Sequence, residues 1–231
     1  MIDGKSILAI IPARGGSKGL PCKNILPLVD IPLIVWSIEA ARESKYIDKF
    51  IISTDDQKIA EVSKKYGALV PFIRPAELST DSANLNDVIL HSLDEIKDSY
   101  DIIIVLQPTS PLRQAKDIDQ GLDFMMDKKA LSAVSVCKSH KPVEWNYHIK
   151  KNGIIVPISL PKIDSTNRQR FQTTYIPNGA LYMININYFK KVKSFYTDLT
   201  YGYIMPPERS IDIDTELEFF IAKAMIAFQD N

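Results

Sequence analysis

The chain has 231 residues, a length that suits one large α/β domain, alone or with a small insertion. Its 28 Lys and Arg residues balance 28 Asp and Glu residues, which excludes an overall basic field of the kind that binds nucleic acid or an anionic membrane. Because no apolar run approaches the roughly 20 residues that span a bilayer and the first residues lack the features of a signal peptide, we expect a cytoplasmic globular protein with no membrane or nucleic-acid partner.

Apolar, β-branched runs alternate with amphipathic segments along most of the chain, which is typical of crossover units on a parallel sheet. The predicted strands are residues 6–11, 49–53, 69–72, 102–107, 133–137 and 179–185, and the predicted helices are residues 33–44, 56–66, 85–96, 115–127 and 214–228. Several strands are near-continuous Ile, Val and Leu, as expected of strands covered on both faces. The pattern predicts a three-layer, Rossmann-like α/β fold with a mostly parallel central sheet.

The loop after the first strand, IPARGGSKGLPCKN, combines two glycines with several cationic side chains. Gly15 and Gly16 allow positive φ and close approach of the backbone to a ligand, and their N–H groups can form an anion-binding nest. Arg14, Lys18 and Lys23 add positive charge, so the loop suits a polyphosphate. Its spacing matches neither G-x-x-x-x-G-K-[ST] nor G-x-G-x-x-G, which argues against a P-loop or a dinucleotide site. A surface turn with solvated charges is the alternative for the loop taken alone.

The segment VLQPTSPLR, residues 105–113, follows a strand that is expected to be buried. Ligands bind at the carboxyl edge of open α/β sheets, where the polar side chains after this strand emerge. We therefore expect Gln107, Thr109, Ser110 and Arg113 to project into a site at this edge. An ordinary strand-to-helix loop with a capping hydroxyl is the alternative.

Residues 142–177 interrupt the alternation of strands and helices. They are rich in Pro, Lys and Asn and contain short strand-like pieces such as YHIKKNGIIVPI. Irregular segments of this length are uncommon as connections and are usually functional. Their large apolar residues, which one subunit could hardly cover, are Trp145, Tyr147, Ile149, Ile154, Ile155 and Phe171. We expect one domain over residues 1–231 with residues 142–177 as an inserted dimerisation arm; a lobe packed on its own sheet is the alternative.

Two carboxylates lie two residues apart in the segment SIDIDTELEF, residues 210–219. With strand-like alternation, Asp212 and Asp214 point to the same side. Two hard oxygen ligands of this kind can hold Mg²⁺ and leave positions for phosphate oxygens and water. Asp214 is also placed to cap the final helix, and the two roles are compatible.

Seven segments occur together and in order: IPARGGSKGLPCKN, ISTDD, RPAELSTDSA, LQPTSPLR, RQ at residues 168–169, PNGALY and SIDIDTELE. With these segments the chain resembles the CMP-sialic acid synthetases, that is, the acylneuraminate or nonulosonate cytidylyltransferases, from about residue 7 to residue 224. The resemblance implies a nucleotidyltransferase fold and transfer of CMP from CTP to the anomeric hydroxyl of a nine-carbon 2-keto sugar acid, with release of pyrophosphate. It also implies a Mg²⁺ cofactor and a homodimer in which the arm completes the neighbour's active site.

The resemblance assigns a role to each matching residue. The nucleotide-binding residues would be Arg14, Gly15, Gly16, Lys18, Lys23, Asn24, Arg74 and Ala83. The sugar-binding residues would be Gln107, Arg168 and Tyr182, and the metal ligands Asp212 and Asp214. Arg14, Lys23, Gln107, Asp212 and Asp214 would form the catalytic set. Aligning the reactants and neutralising charge is what attack on a phosphorus requires, so no histidine base is needed.

The sugar acid is less closely defined than the reaction. Sialate-specific relatives carry small hydroxyl residues and a lysine where this chain has NLNDV and SHKPVEWNY. An uncharged lining with Trp145 or Tyr147 would suit a diacetamido sugar such as legionaminate. N-acetylneuraminate and legionaminate types are therefore both candidate substrates. Packing within the arm is the alternative role of these aromatic residues. A pseudaminate or octulosonate enzyme, a hexose-phosphate nucleotidyltransferase and a non-catalytic nucleotide-binding relative are the competing hypotheses for the whole chain.

Overall fold

The computed structural model describes residues 1–16, 19–158 and 171–229. The strands are β1 (Ile7–Pro12), β2 (Pro27–Leu28), β3 (Ile31–Pro32), β4 (Lys49–Ser53), β5 (Ile102–Val105), β6 (Ser132–Lys138), β7 (Tyr147–Ile149), β8 (Ile155–Pro157), β9 (Tyr175–Asn185) and β10 (Thr200–Ile204). The helices are α1 (Leu33–Glu43), α2 (Gln57–Lys65), α3 (Leu85–Glu95), α4 (Ala115–Asp127), α5 (Ile186–Val192) and α6 (Glu216–Gln229). Within the described residues, no helix is both long enough and apolar enough to cross a membrane.

Six strands form one central sheet in the order β10-β6-β9-β5-β1-β4. β1 is parallel to β4 and β5, and β10 is parallel to β6, whereas β9 is antiparallel to both of its neighbours. The predicted mostly parallel sheet is therefore confirmed. Because β9 runs in the opposite direction, its first residues lie where β5 and β6 end: Val136 pairs with Pro177, and Val105 with Tyr182. The start of β9 thus reaches the carboxyl edge of the sheet.

Helices cover both faces of the sheet. Ala9 and Ile11 of β1 pack with residues of α1, α2 and α4, while Leu8 and Ile10 pack with residues of α3 and α5. Side chains alternate across a strand, so one near-continuous apolar run serves both layers. This arrangement confirms the three-layer α/β fold. A third apolar cluster joins α6 to Leu28 and to the start of α1.

Most predicted elements lie within two residues of the observed ones. The strand predicted over residues 179–185 begins four residues earlier, at Tyr175, and other elements differ more. Residues 69–72 form no continuous strand; Leu69 and Ile73 make isolated parallel bridges to Ile51 and Thr54 beside β4. β10 and α5 were not predicted from the pattern. β10 is an exposed edge strand with a glycine in its middle, and α5 has only seven residues, so neither has a strong periodic signal.

The described part of the predicted arm contains a short 3₁₀ helix, Val143–Trp145, and the antiparallel hairpin β7–β8. Residues 159–170 of the arm lie outside the described residues. β9 begins at Tyr175, which pairs with Lys138, so residues 175–177 belong to the central sheet. The structure thus ends the irregular part of the segment before residue 175.

A buried ion pair fixes the segment that leads into the last part of the chain. Arg209 donates from Nε to both carboxylate oxygens of Asp117 at 3.0 and 2.9 Å, and Asp117 is fully buried in the first turn of α4. We expect Arg209→Met to lower the free energy of unfolding by about 2 kcal/mol, because it leaves a buried carboxylate without its cation. Urea denaturation measures the change, and Lys45→Met, at an exposed pair, should leave the denaturation midpoint nearly unchanged. An equal, small effect of both variants would contradict the assigned role.

Candidate functional site

A cavity of about 420 Å³ opens at the carboxyl edge of β1 and β5. Ten of the predicted site residues line it: Arg14, Gly16, Lys23, Asn24, Arg74, Ala83, Gln107, Thr109, Asp212 and Asp214. They come from four separate segments, which the sheet brings together at one edge. Gly15 and Tyr182 lie outside the cavity wall, while Lys18 and Arg168 lie outside the described residues.

The loop after β1 is held by bonds to its own backbone and to the segment after β4. Asn24 donates from its side-chain amide to the carbonyl oxygen of Arg14 at 3.0 Å. The Gly15 N–H donates to Asp55 at 3.1 Å, so this group is not free for an anion, contrary to the predicted nest. A Cβ on Gly15 would lie 2.6 Å from the carboxylate of Asp56, which explains why glycine is needed there.

Lys23 connects this loop to the pair of aspartates. Its side chain is only 10% exposed, and its Nζ donates to the carbonyl oxygen of Ile213 and lies 3.2 Å from Asp214 Oδ1. Gly19 packs so closely on the carbonyl oxygen of Asp214 that a Cβ could not be accommodated. The cationic loop and the acidic segment therefore form one wall of the cavity, although they are about 190 residues apart in sequence.

Two arginines also line the cavity. Arg74 is buried and donates to Ser79 Oγ at 3.0 Å and to the Ser53 carbonyl oxygen at 3.3 Å. Burial lowers the pKa of its guanidinium, while the charge of Asp55 opposes that shift. Arg14 is half-exposed at the mouth of the cavity, where its Nη1 lies 2.9 Å from a carboxylate oxygen of Asp81. Arg74 thus has a fixed position, whereas Arg14 can exchange an exposed partner for a ligand.

Asp212 is a half-buried carboxylate with unused hydrogen-bonding capacity. Burial raises the pKa of Asp212, and the charges of Asp214 and Glu218 add to the rise, while the Thr109 hydroxyl and Lys23 oppose it. Its buried Oδ1 has no hydrogen-bond partner within the described structure. An unpartnered buried carboxylate oxygen is costly unless a cation or a ligand group completes the site.

Gly179 brings Gln107 and Asp212 together. It has φ +73°, and a Cβ there would lie 2.7 Å from Gln107 Oε1 and 3.0 Å from Asp212 Oδ2. The absence of a side chain at residue 179 leaves these two oxygens facing the same space. Within the described residues, no group of three or more His, Cys, Asp and Glu is arranged to hold a metal. Two carboxylates and one amide oxygen suit Mg²⁺, which commonly uses one or two carboxylates and takes its other ligands from substrate phosphates and water.

The predicted projection of Ser110 and Arg113 into the site is wrong, since both are buried and neither lines the cavity. Arg113 donates from Nη1 to the carbonyl oxygens of Gln107 and Ala180, at 3.2 and 3.1 Å. Burial lowers the pKa of Arg113, which the charge of Asp117 opposes. Arg113 therefore holds the backbone of the loop that carries Gln107, without reaching the cavity. Gln107 and Thr109 line the cavity as predicted.

Asn178 is a buried residue whose role the sequence pattern did not reveal. Its side-chain amide donates to Ser210 Oγ at 2.8 Å, and its Oδ1 accepts from Ser135 Oγ. These bonds tie the segment that carries Asp212 to β6 and β9. A buried asparagine before a glycine inside a strand is the signal that could have indicated a fixed turn.

Tyr182 packs beside the aspartate segment among other aromatic rings. Its ring lies edge-on to Phe195 at 5.5 Å and to Tyr196 at 6.3 Å. Burial raises the pKa of the Tyr182 hydroxyl, and the charges of Tyr196 and Asp212 add to the rise. This aromatic cluster flanks the cavity next to Asp212, and Tyr196 is a member that sequence analysis missed.

Comparison with known proteins gives the family. A family model described as cytidylyltransferase matches residues 8–159 of the chain. The chain belongs to the cytidylyltransferase family. The family match includes the segments that contribute Arg14, Lys23, Arg74 and Gln107 to the cavity and ends before the two aspartates. The family predicted from the ordered motifs is thus confirmed.

Cytidylyltransferases with related sequences include the N-acylneuraminate cytidylyltransferase of Escherichia coli O18:K1:H7, which is 37% identical over 218 residues, or 94% of this chain and 51% of the relative. The CMP-N,N'-diacetyllegionaminic acid synthase of Legionella pneumophila is 32% identical over 224 residues, or 95% of this chain and 96% of the relative. The chain therefore spans about half the length of the first relative and nearly all of the second.

Solved structures show the same fold. A CMP:2-keto-3-deoxy-manno-octonic acid synthetase complexed with CTP superposes with a TM-score of 0.72 at 17% identity, covering 97% of this chain and 99% of the other. A 4-diphosphocytidyl-2C-methyl-D-erythritol synthase from Anaerococcus prevotii superposes with a TM-score of 0.67 at 15% identity, covering 97% of this chain and 100% of the other. At these identities the likeness establishes the three-layer cytidylyltransferase fold.

Proposed function

We propose that the chain transfers CMP from CTP to the anomeric hydroxyl of a nine-carbon 2-keto sugar acid and releases pyrophosphate. A bond forms between the anomeric oxygen and the α-phosphorus, the bond from the α-phosphorus to the oxygen that bridges to the β-phosphate breaks, and the hydroxyl proton passes to water. The observation that carries this proposal is the single cavity lined by the cations Arg14, Lys23 and Arg74 together with the carboxylates of Asp212 and Asp214.

The cationic residues have distinct parts in this reaction. Lys23 is nearly buried and fixed by Ile213 and Asp214, so it offers a positioned charge to the triphosphate. Arg14 would leave Asp81 and bind a phosphate oxygen as charge develops on the leaving pyrophosphate. Arg74 is held by Ser53 and Ser79 and would provide a positive charge at a fixed position near the phosphates. Such a pre-positioned set accelerates attack on phosphorus without covalent participation by the protein.

A divalent cation would fit beside these residues. Asp212 and Asp214 would hold Mg²⁺, with Gln107 Oε1 close to the same space. When bound, the ion would neutralise phosphate charge and lower the pKa of the attacking hydroxyl. The unpartnered Oδ1 of Asp212 supports this assignment, since a buried carboxylate oxygen needs such a partner.

The proposed sugar acid is of the N-acetylneuraminate or legionaminate type. The names of the Escherichia coli and Legionella pneumophila relatives support both. Pyrophosphate release with CTP, UTP, ATP and dTTP, each combined with a panel of nonulosonic acids and hexose phosphates, tests the activity. The proposal expects release with CTP and one of these acids and its loss with a chelator. Release with UTP or dTTP and a hexose phosphate, or no release with any pair, would contradict it.

Arg14→Ala tests the assignment of the loop. We expect kcat/KM for CTP to fall about 30-fold, which corresponds to about 2 kcal/mol for one charge-assisted contact to phosphate. The melting temperature should change by only about 1 °C, because the partner of Arg14 in the free protein is the exposed Asp81. Steady-state kinetics and thermal unfolding measure both quantities. A large loss of thermal stability with retained activity would reverse the assignment.

We further propose that the protein is a homodimer in which the arm completes the active site of the other subunit. If Arg168 acts across the interface, mixing inactive Arg168→Ala and Asp212→Ala subunits should restore activity, because some mixed dimers contain one site without a lesion. When equal amounts of the two variants have exchanged completely, half of the dimers are mixed, and each mixed dimer has one intact site. We therefore expect about a quarter of the wild-type activity per subunit. Activity that stays at the level of the separate variants would place Arg168 in its own subunit's site.

A further inference from the structure

The two aspartates of the segment ISTDD have different structural roles. Both follow the carboxyl end of β4, which lies next to β1 in the sheet. Asp56 precedes α2 and caps it, since its carboxylate accepts a hydrogen bond from the Ile59 N–H at 2.9 Å. Asp55 is half-buried, and its carboxylate contacts two segments that line the cavity. The contacts of Asp55 thus lie outside β4 and α2.

One contact fixes the backbone beside Arg14. Asp55 Oδ1 accepts a hydrogen bond from the Gly15 N–H at 3.1 Å. The carbonyl oxygen of Arg14, in the same peptide group, accepts from the Asn24 side chain at 3.0 Å. Because a peptide group is planar, bonds to both of its ends fix the plane that follows Arg14. Asp55 therefore helps to set the direction in which the Arg14 side chain leaves the loop.

The same carboxylate oxygen also compensates the charge of Arg74. Arg74 Nη2 lies 3.4 Å from Asp55 Oδ1, and the Arg74 side chain is only 3% exposed. Burial lowers the pKa of Arg74, the charge of Asp55 opposes that shift, and the charge of Arg14 lowers the pKa further. Ser53 and Ser79, which hold the same guanidinium, are uncharged. A buried cation needs a compensating charge, and Asp55 provides one here.

We propose that Asp55 is a positioning residue for the nucleotide-binding side of the cavity. Its Oδ1 would hold the backbone beside Arg14 and the guanidinium of Arg74 in the orientations that bind a triphosphate. Asp55 does not line the cavity within the described structure, so it acts through these two arginines and not by contact with the ligand. The inference rests on the proposed binding of CTP and adds a residue to which the proposed reaction assigns no part.

The sign of the effect on affinity distinguishes this role from a simple effect of charge. A carboxylate repels phosphate, so removing a negative charge close to the cavity strengthens triphosphate binding when charge alone matters. Removing a positioning carboxylate has the opposite effect, because the arginines lose their orientation. Asp55→Asn keeps the shape and an oxygen that can accept from Gly15, but it loses the charge that compensates Arg74.

CTP affinity, measured by calorimetry with a chelator present, tests the inference. We expect the dissociation constant to rise about 30-fold in Asp55→Ala, the effect of one lost charge-assisted interaction, and by a smaller factor in Asp55→Asn. Asp56→Asn is the matched control, because it removes the same charge one residue away and asparagine is an equally good helix cap. The dissociation constant of this control should stay within about twofold of the wild-type value. An unchanged or lower dissociation constant in both Asp55 variants would overturn the inference.

Steady-state kinetics separate positioning from general damage to the fold. KM for CTP should rise in Asp55→Asn, whereas KM for the sugar acid should stay within about twofold of the wild-type value, because both contacts of Asp55 are to nucleotide-side residues. Equal rises in both KM values would indicate a general structural role and contradict the positioning of the arginines.

The Gly15 N–H can be observed directly by NMR. The dipeptide Arg-Gly occurs once in the chain, at residues 14–15, so arginine labelled with ¹³C at its carbonyl and glycine labelled with ¹⁵N give a single HNCO signal. An amide proton that is bonded to a carboxylate resonates downfield. In the protein without ligand, we expect this signal to move upfield in Asp55→Ala and to move much less in Asp56→Asn. An unmoved signal in Asp55→Ala would mean that the bond does not form, and this would overturn the inference.

Inorganic tripolyphosphate, used as a second probe, separates this inference from the proposed function. Weaker binding of tripolyphosphate by Asp55→Asn supports the inference even if the wild type transfers no CMP, a result that would contradict only the proposed function. CMP transfer by the wild type, together with unchanged CTP affinity in Asp55→Asn and Asp55→Ala, overturns the inference and leaves the proposed function intact. A wild-type protein that binds neither tripolyphosphate nor CTP contradicts both.

Discussion

Replacing Asp212 by Asn is expected to lower kcat about 1,000-fold, or about 4 kcal/mol in the activation free energy. The substitution keeps the shape of the side chain and removes its charge, so it removes the electrostatic contribution of Asp212 at the transition state. CTP binding in the absence of a divalent cation should change little, because the phosphates are bound by Arg14, Lys23 and Arg74 in our assignment. Turnover measured with saturating substrates, and CTP affinity measured by calorimetry with a chelator present, test both statements.

Glu216→Gln is the matched control for Asp212→Asn. Glu216 is an exposed carboxylate in the first turn of α6 and does not line the cavity. We expect the kcat of Glu216→Gln to stay within about twofold of the wild-type value, because salt screens the charge of an exposed side chain. Near-normal turnover of Asp212→Asn would remove this residue from the mechanism, and an equal loss in both variants would indicate a general effect of charge.

Replacing Gly179 by Ala is expected to lower kcat about 100-fold. The added methyl group would lie 2.7 Å from Gln107 Oε1 and 3.0 Å from Asp212 Oδ2, so these oxygens must move by several tenths of an ångström. A misplacement of about 1 Å at a reacting centre costs about 100-fold in rate, and relieving the 2.7 Å contact requires a movement that approaches this size. The positive φ of 73° adds about 1 kcal/mol of backbone strain, which should appear as a lower melting temperature.

Gly4→Ala separates the strain from the contact. Gly4, in the turn before β1, has φ +72°, and a Cβ there would have no atom within 4 Å. It therefore carries the same conformational penalty without the collision. We expect a similar small loss of stability and nearly normal kcat. If Gly179→Ala retains full activity while stability falls as in Gly4→Ala, the close approach at Gly179 has no role in catalysis.

The central sheet and most helices could be predicted because local sequence determines them. β1, β4 and β5 are short apolar segments rich in Ile. α2 and α3 are preceded by Asp56 and Asn84, whose side chains accept hydrogen bonds from backbone N–H groups of the first turn. The reversed direction of β9 could not be predicted, since a strand buried on both faces has the same composition in either direction. β10 could not be predicted as a strand, because it lies at the edge of the sheet and its hydrophobic pattern is weak.

The candidate site could be predicted as a set of residues but not as a geometry. Arg14, Lys23, Gln107 and the two aspartates follow from charge and from their positions after strands. The buried role of Arg113 could not be predicted, because it depends on carbonyl oxygens of residues 107 and 180, far apart in sequence. The same holds for Asn178, which connects β6 and β9 to the aspartate segment. Such contacts arise only when the chain has folded.

Transfer of an isotopic label tests the proposed reaction most directly. The sugar acid is labelled with ¹⁸O at its anomeric hydroxyl and incubated with CTP, Mg²⁺ and the protein, and the product is analysed by ³¹P NMR and mass spectrometry. The label content of unreacted sugar acid corrects for exchange with water. We expect CMP-sugar with ¹⁸O as the oxygen that bridges the anomeric carbon and phosphorus, and pyrophosphate without label. Unlabelled CMP-sugar, label in pyrophosphate, or the absence of a CMP-sugar would contradict attack of the anomeric oxygen on the α-phosphorus.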